Sequence, residues 1–157
     1  MNRIRFAVAA GALALSAIAT FAHGAEPVEP VNPSDPVSVR EHMMKNVGAA
    51  MGMAGKMAKG EAAYSADTAV AAFRIMNAAA LGFGSQFPAG SGTDASEASP
   101  KIWTDAAGFD AAVVKFIKDT EAAVIAAPAT LDAFKPVFGQ VAGNCKSCHE
   151  GYRIKKN

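Results

Sequence analysis

Residues 130–153 read TLDAFKPVFGQVAGNCKSCHEGYR, and this stretch decides the class of fold. Its apolar side chains and cysteines recur in steps of four and three residues, the period of one helix face. These positions are Phe134, Phe138, Val141, Cys145, Cys148 and Tyr152. We predict a helix that begins after Thr130 and carries both cysteines on its buried face. Pro136 and Gly139 interrupt the pattern, so a kink or a delayed start is expected in this helix.

Three more helices are predicted upstream, because apolar residues again follow a helical period and capping residues stand at the ends. Asp35 can cap the first, which Gly60 ends, and Ser65 can cap the second. The predicted spans are 36–59, 66–83 and 100–127. Residues 84–99 are rich in Gly, Ser and Pro and are expected to form a long loop. No segment alternates with a period of two, so the predicted class is all-α, an antiparallel four-helix bundle.

The sequence Cys145-Lys146-Ser147-Cys148-His149 is the attachment motif of c-type haem. Two thiols bind the vinyl groups, the histidine offers a ring nitrogen to the iron, and all three side chains leave a helix on one face. A thioredoxin-like dithiol would be expected near a βαβ unit rather than late in a helical chain. A zinc site would need a fourth ligand, and besides His149 the one histidine left after removal of the N-terminal segment described below is His42. The motif therefore predicts one covalent haem c.

The N-terminus has the pattern of a secretory signal peptide. Arg3 and Arg5 precede an apolar run at 6–21, which small residues follow. We expect cleavage near residue 24, giving a signal peptide at 1–24, a single mature domain at 25–157 and a periplasmic location. Cleavage would remove two of the 15 basic residues and none of the 14 acidic ones, leaving a formal charge of −1. This near-neutral net charge does not indicate nucleic-acid binding.

Three stretches together resemble the class II c-type cytochromes, the cytochrome c′ family with its low-spin methionine-ligated relatives. The resemblance extends over the whole segment after the predicted signal peptide. The stretches are Val39-Arg40-Glu41 through Met44, Pro100-Lys101-Ile102-Trp103, and the haem motif with Tyr152-Arg153.

The resemblance implies a four-helix bundle around haem, often a homodimer, that transfers electrons or binds gases in the periplasm. It makes Cys145 and Cys148 the haem tethers and His149 the proximal ligand. Three further residues are placed near the haem by the same resemblance. Arg40 and Glu41 lie near its edge, and Met44 faces the distal side of the iron. Glu97 is the nearest match to an acidic or polar residue that approaches the haem in relatives.

The residues themselves leave two functions open. Arg40 projects from an otherwise apolar helix stripe, and haem carboxylates would give its guanidinium a charged partner. If Met44 also binds the iron, the protein is a one-electron carrier that serves redox partner proteins. If Met44 only borders the site, the iron is five-coordinate and can take up NO or CO. No nucleophile or general base can be identified, so we do not predict an enzyme, and no membrane contact is expected after processing.

Overall fold

The computed structural model describes residues 30–93 and 96–155, and the predicted signal peptide lies outside them. Within these residues the chain forms five α-helices and a short 3₁₀ turn at Gly84–Gln86. The helices are α1 Pro36–Lys59, α2 Ala66–Phe83, α3 Lys101–Thr104, α4 Ala106–Ala126 and α5 Leu131–Tyr152. The only β-type pairing in this part of the chain is an isolated bridge between Ala98 and Arg153. The predicted all-α class is confirmed.

The first two helices begin and end where their capping residues indicate. The Asp35 carboxylate accepts a hydrogen bond from Val37 N at 2.9 Å, and Gly60 ends α1 with φ of 77°. Only glycine adopts such a left-handed conformation without strain. At α2 the Ser65 hydroxyl accepts from Thr68 N at 3.2 Å. These local bonds explain why both helices could be delimited from sequence.

The predicted third helix is in fact two helices, α3 and α4, which meet at Asp105. This residue has φ of −129° and ψ of 53°, outside the helical region, and its carboxylate accepts from Gly108 N at 3.2 Å. Asp105 also accepts a hydrogen bond from the Tyr152 hydroxyl at 3.0 Å. The Asp105 carboxylate thus caps α4. Because the apolar residues on both sides of Asp105 keep one helical period, this break could not be predicted from sequence.

Of the kink or delayed start expected for α5, the delayed start does not occur. Its first residue is Leu131, capped by the Thr130 hydroxyl, which accepts from Ala133 N at 3.3 Å, and the helix continues through Pro136. Aromatic packing holds this proline-containing turn in place. The Phe134 ring lies 5.3 Å from that of Phe138, 5.8 Å from Phe73 and 5.4 Å from Tyr64, measured between centroids. Burial of these rings offsets the loss of one backbone donor.

The four long helices form a ring in which α1 packs on α2 and α5, and α4 packs on the same two helices. The core occupies one end of this bundle. Its largest fully buried side chains are Phe73, Phe134, Met76, Val141 and Thr120. In the part of the chain that is described, no helix is long and apolar enough to cross a bilayer.

Candidate functional site

The other end of the bundle encloses a cavity of about 720 Å³. The first half of α1, the end of α2, the first half of α4 and the second half of α5 line it, as neighbouring antiparallel helices would. Loop residues 96–98 complete its border. All seven predicted site residues line this cavity: Arg40, Glu41, Met44, Glu97, Cys145, Cys148 and His149. The fold therefore brings them together, whereas their individual roles stay predictions.

On α5 the two motif cysteines are partly buried, whereas His149 is exposed. Cys145 and Cys148 are free thiols, and burial raises the pKa of both. Burial lowers the pKa of His149, the positive charge of Arg153 lowers it further, and Glu97 acts in the opposite direction. The net effect favours a neutral imidazole, the form that can donate a lone pair to iron.

Aromatic rings form a continuous row along one side of the cavity. The Phe87 ring lies 5.0 Å from Phe83 and 4.8 Å from Phe109, and the Phe109 ring lies 5.4 Å from Tyr152. Trp103 is not among the lining residues; its indole N–H donates to Phe87 O at 3.2 Å. Among the aromatic residues of the helices, Phe109 lines the cavity. Phe73 lies in the core and Trp103 behind Phe87.

Arg40 is only 4% exposed and binds the loop. Its Nη1 donates to Gln86 O and to Ser91 Oγ, both at 3.1 Å. Its Nη2 donates to Ser91 O at 2.7 Å and to Ser96 Oγ at 2.5 Å. The guanidinium also lies 4.8 Å from the centroid of the Phe87 ring, where it forms a cation–π contact. Sequence indicated a charged partner for Arg40, but the loop acceptors could not be predicted because the loop has no periodicity.

Glu97 is joined to the segment that follows the haem motif. Its carboxylate accepts from Arg153 Nε at 2.6 Å and forms an ion pair with Arg153 Nη2 at the same distance. Ile154 N donates to Glu97 O at 2.9 Å, and Ser99 N donates to Tyr152 O at 3.0 Å. We call these contacts between residues 97–99 and 152–154 the rim clamp. This role of Arg153 was missed, because no local sequence pattern pairs it with Glu97, 56 residues away.

Asn144 is a second residue that sequence reasoning missed. It is buried, lines the cavity and precedes Cys145. Its amide nitrogen donates to Asp119 Oδ2 at 2.7 Å, and its amide oxygen accepts from Lys115 Nζ at 3.1 Å. Lys115 and Asp119 also pair with each other at 2.5 Å. The spacing of four residues between Lys115 and Asp119 is typical of an ion pair on a helix, but no local pattern joins this pair to Asn144.

The residues present fit a haem. The walls of the cavity are mainly apolar and also include charged side chains, as a macrocycle with apolar faces and a carboxylate-bearing edge requires. Both thiols and the imidazole come from one wall, within about one helical turn. The volume lies within the roughly 300–1,000 Å³ typical of ligand and cofactor sites.

Comparison with known proteins agrees with this geometry. Residues 35–153 match the family model described as Cytochrome C′. The chain is 37% identical over 115 residues to cytochrome c-556 from Agrobacterium tumefaciens (strain apple 185), covering 73% of this chain and 91% of that protein. The structure resembles cytochrome c′ from Rhodopseudomonas palustris with a TM-score of 0.74 at 32% identity, over 79% of this chain and 99% of that one.

It also resembles a nitric oxide complex of a mutant cytochrome c prime from Alcaligenes xylosoxidans, with a TM-score of 0.70 at 30% identity, over 78% and 97% of the two chains. A four-helix bundle that presents a C-x-x-C-H motif to an internal cavity defines a c-type cytochrome. The chain belongs to the cytochrome c′ family, and its cofactor is a covalently attached haem c.

Proposed function

We propose that this cytochrome is a periplasmic one-electron carrier whose iron is bound by His149 and Met44. The observation that carries the proposal is that a thioether on α1 and an imidazole on α5 line one cavity. Both side chains are established axial ligands of haem iron, and together they favour a low-spin state. When bound, the haem supplies the Fe(III)/Fe(II) couple.

The protein's own residues give this role three supports. Cys145 and Cys148 can tether the cofactor, so a carrier outside the cytoplasm does not lose it by dilution. The aromatic row and the apolar side chains of α1 give the site a mainly apolar lining. Tyr152 is only half-buried while lining the cavity, so a redox partner protein could approach the cofactor from this end.

A second function has support from a different observation. Beyond Lys45 the lining from α1 consists of Val47, Gly48 and Met51, which offer no side-chain hydrogen-bond donor, and the Arg40 guanidinium is engaged by the loop. Such a wall would bind NO or CO in preference to O₂, which needs polar stabilisation. The Alcaligenes relative was observed as a nitric oxide complex. Five-coordinate iron with NO or CO uptake is therefore the alternative.

Optical spectra of the ferric and ferrous holo-protein separate these functions, because spin state reports the coordination number. For the electron carrier we expect a low-spin wild type, and Met44→Ala should become high-spin and gain CO binding. Met53→Ala is the matched control, because Met53 is a 43% exposed methionine on the same helix. A high-spin wild type would replace the proposal with the gas-binding function. A low-spin spectrum that survives Met44→Ala would assign the sixth ligand elsewhere.

A further inference from the structure

The charged residues that line the cavity are Arg40, Lys45, Arg153, Glu41 and Glu97. Two of the three cations already have protein partners. Arg40 donates four hydrogen bonds to the loop, and Arg153 pairs with Glu97. Within residues 30–93 and 96–155, by contrast, Lys45 takes part in no hydrogen bond, ion pair or ring contact.

The carboxylate that could be expected to pair with Lys45 does not do so. Glu41 precedes Lys45 by four residues, a spacing and orientation that favour an ion pair on a helix. The two side chains are nevertheless not within ion-pair distance, and the charge of Glu41 acts on Arg40, whose pKa burial lowers and Asp35 and Glu41 raise. Lys45 thus stands exposed on the cavity lining with its ammonium available.

The cofactor brings the missing anions. A haem carries two carboxylates on the edge of an otherwise apolar macrocycle, and burying them against apolar walls would be costly. The haem carboxylates should therefore lie beside charged side chains of the lining. We propose that Lys45 binds a haem carboxylate through a charge-assisted hydrogen bond. This inference rests on the attachment of haem and is independent of whether the iron transfers electrons or binds gas.

A cation at this place has a measurable effect on the iron. The ferrous haem has one electron more than the ferric haem, so a nearby positive charge stabilises the ferrous form and raises the reduction potential. Lys45→Gln should lower the potential, whereas Lys45→Arg keeps the charge and should leave it almost unchanged.

Lys56→Gln is the matched control, since Lys56 is an exposed lysine on the same helix and the variant has the same net charge. It lies 11 residues further on, about 16 Å along the helix axis, which exceeds the Debye length of roughly 10 Å at 0.1 M ionic strength.

The test uses the complete holo-protein, with haem content checked by mass for each variant. Redox titration near 0.1 M ionic strength gives the potential, and resonance Raman spectroscopy gives the propionate bending band, which responds to hydrogen bonding. We expect both to shift in Lys45→Gln and neither in Lys56→Gln. A Lys45→Gln protein whose propionate band equals that of the wild type would overturn the inference, whatever its potential. A polypeptide without haem would instead refute the cytochrome assignment, so the two failures remain distinct.

Discussion

The surroundings of His149 favour the neutral form of its imidazole, which can bind a metal. Burial and the neighbouring Arg153 lower its pKa, so near neutral pH the ring does not need to lose a proton before it binds a metal. The two cysteines have the opposite trend, because burial raises the pKa of a thiol. One short helical segment therefore presents a neutral ligand and two protonated thiols, all facing the same cavity.

Replacing both thiols should abolish covalent attachment. Cys145→Ala and Cys148→Ala each leave at most one thioether, so the yield of holo-protein should fall, and in the double variant no haem should remain with the polypeptide after acid-acetone extraction. Mass spectrometry measures the bound haem. Ser147→Ala is the control, because Ser147 lies between the cysteines and its hydroxyl donates to Gly143 O at 3.2 Å. Extraction-resistant haem in the double variant would contradict the tether assignment.

At the scale of elements, two connections determine how the cavity is bordered: Arg40 joins α1 to the 84–99 loop, and the rim clamp joins that loop to the end of α5. Neither connection is helical, and neither follows a sequence period. They depend on single side chains and backbone groups that are far apart in the chain.

Arg40→Gln should release the loop. The change leaves several loop acceptors without a charged donor, so we expect the free energy of unfolding to fall by about 2–3 kcal/mol and limited proteolysis within the loop to speed up. Urea denaturation and cleavage mapping measure the two effects. Arg74→Gln, an exposed arginine on α2, provides the matched control. Equal behaviour of the two variants would show that Arg40 does not anchor the loop.

The contact between α4 and α5 should depend on pH through Asp119. Burial alone would raise the pKa of this carboxyl, but hydrogen bonds from Lys115, Asn144 and Gln140 outweigh burial and lower it below the usual 3.8. A carboxyl with a depressed folded-state pKa stabilises the protein above its unfolded-state value. That contribution is lost as the pH falls from about 4 through the folded-state pKa.

Asp119→Asn should therefore lower the free energy of unfolding near pH 6 by about 1–3 kcal/mol and weaken its acid dependence. Urea denaturation at pH 6 and at pH 3 measures the change. Asp110→Asn removes an exposed carboxylate from the same helix and should have almost no effect. If both variants lose stability in parallel with the wild type on acidification, the hydrogen bonds to Asp119 do not cause the acid sensitivity of the contact between α4 and α5.

Capped helices could be predicted from sequence, because their termini are encoded by neighbouring residues. Asp35 and Gly60 delimit α1, and Thr130 begins α5, through bonds that span only a few positions. The break at Asp105 could not be predicted, because a capping carboxylate there is stabilised in part by Tyr152, 47 residues away. The family resemblance predicted that the haem motif and Met44 lie at one site. No local pattern predicted that Arg40 binds the loop.

At the scale of the whole molecule, we expect export to determine whether the cofactor is attached. Covalent haem is normally added after translocation, and residues 1–24 have the composition of an export signal. A chain without them should accumulate in the cytoplasm as polypeptide of bare mass. Fractionation followed by mass spectrometry tests this expectation, with the full-length chain expressed in parallel as control. Holo-protein in the cytoplasmic fraction of cells that express the shortened chain would count against export.

The hydrogen bonds of Arg40 and the rim clamp also bear on the order of folding. Arg40 reaches acceptors 46 to 56 residues away, and Arg153 reaches Glu97 across 56 residues. Helical turns close over three or four residues, so they can form early, while contacts of such long separation must await the meeting of distant segments. The aromatic contacts of Phe134 with Phe73 and Tyr64 at the core end also join distant segments, so both ends of the bundle are expected to close after the helices have formed.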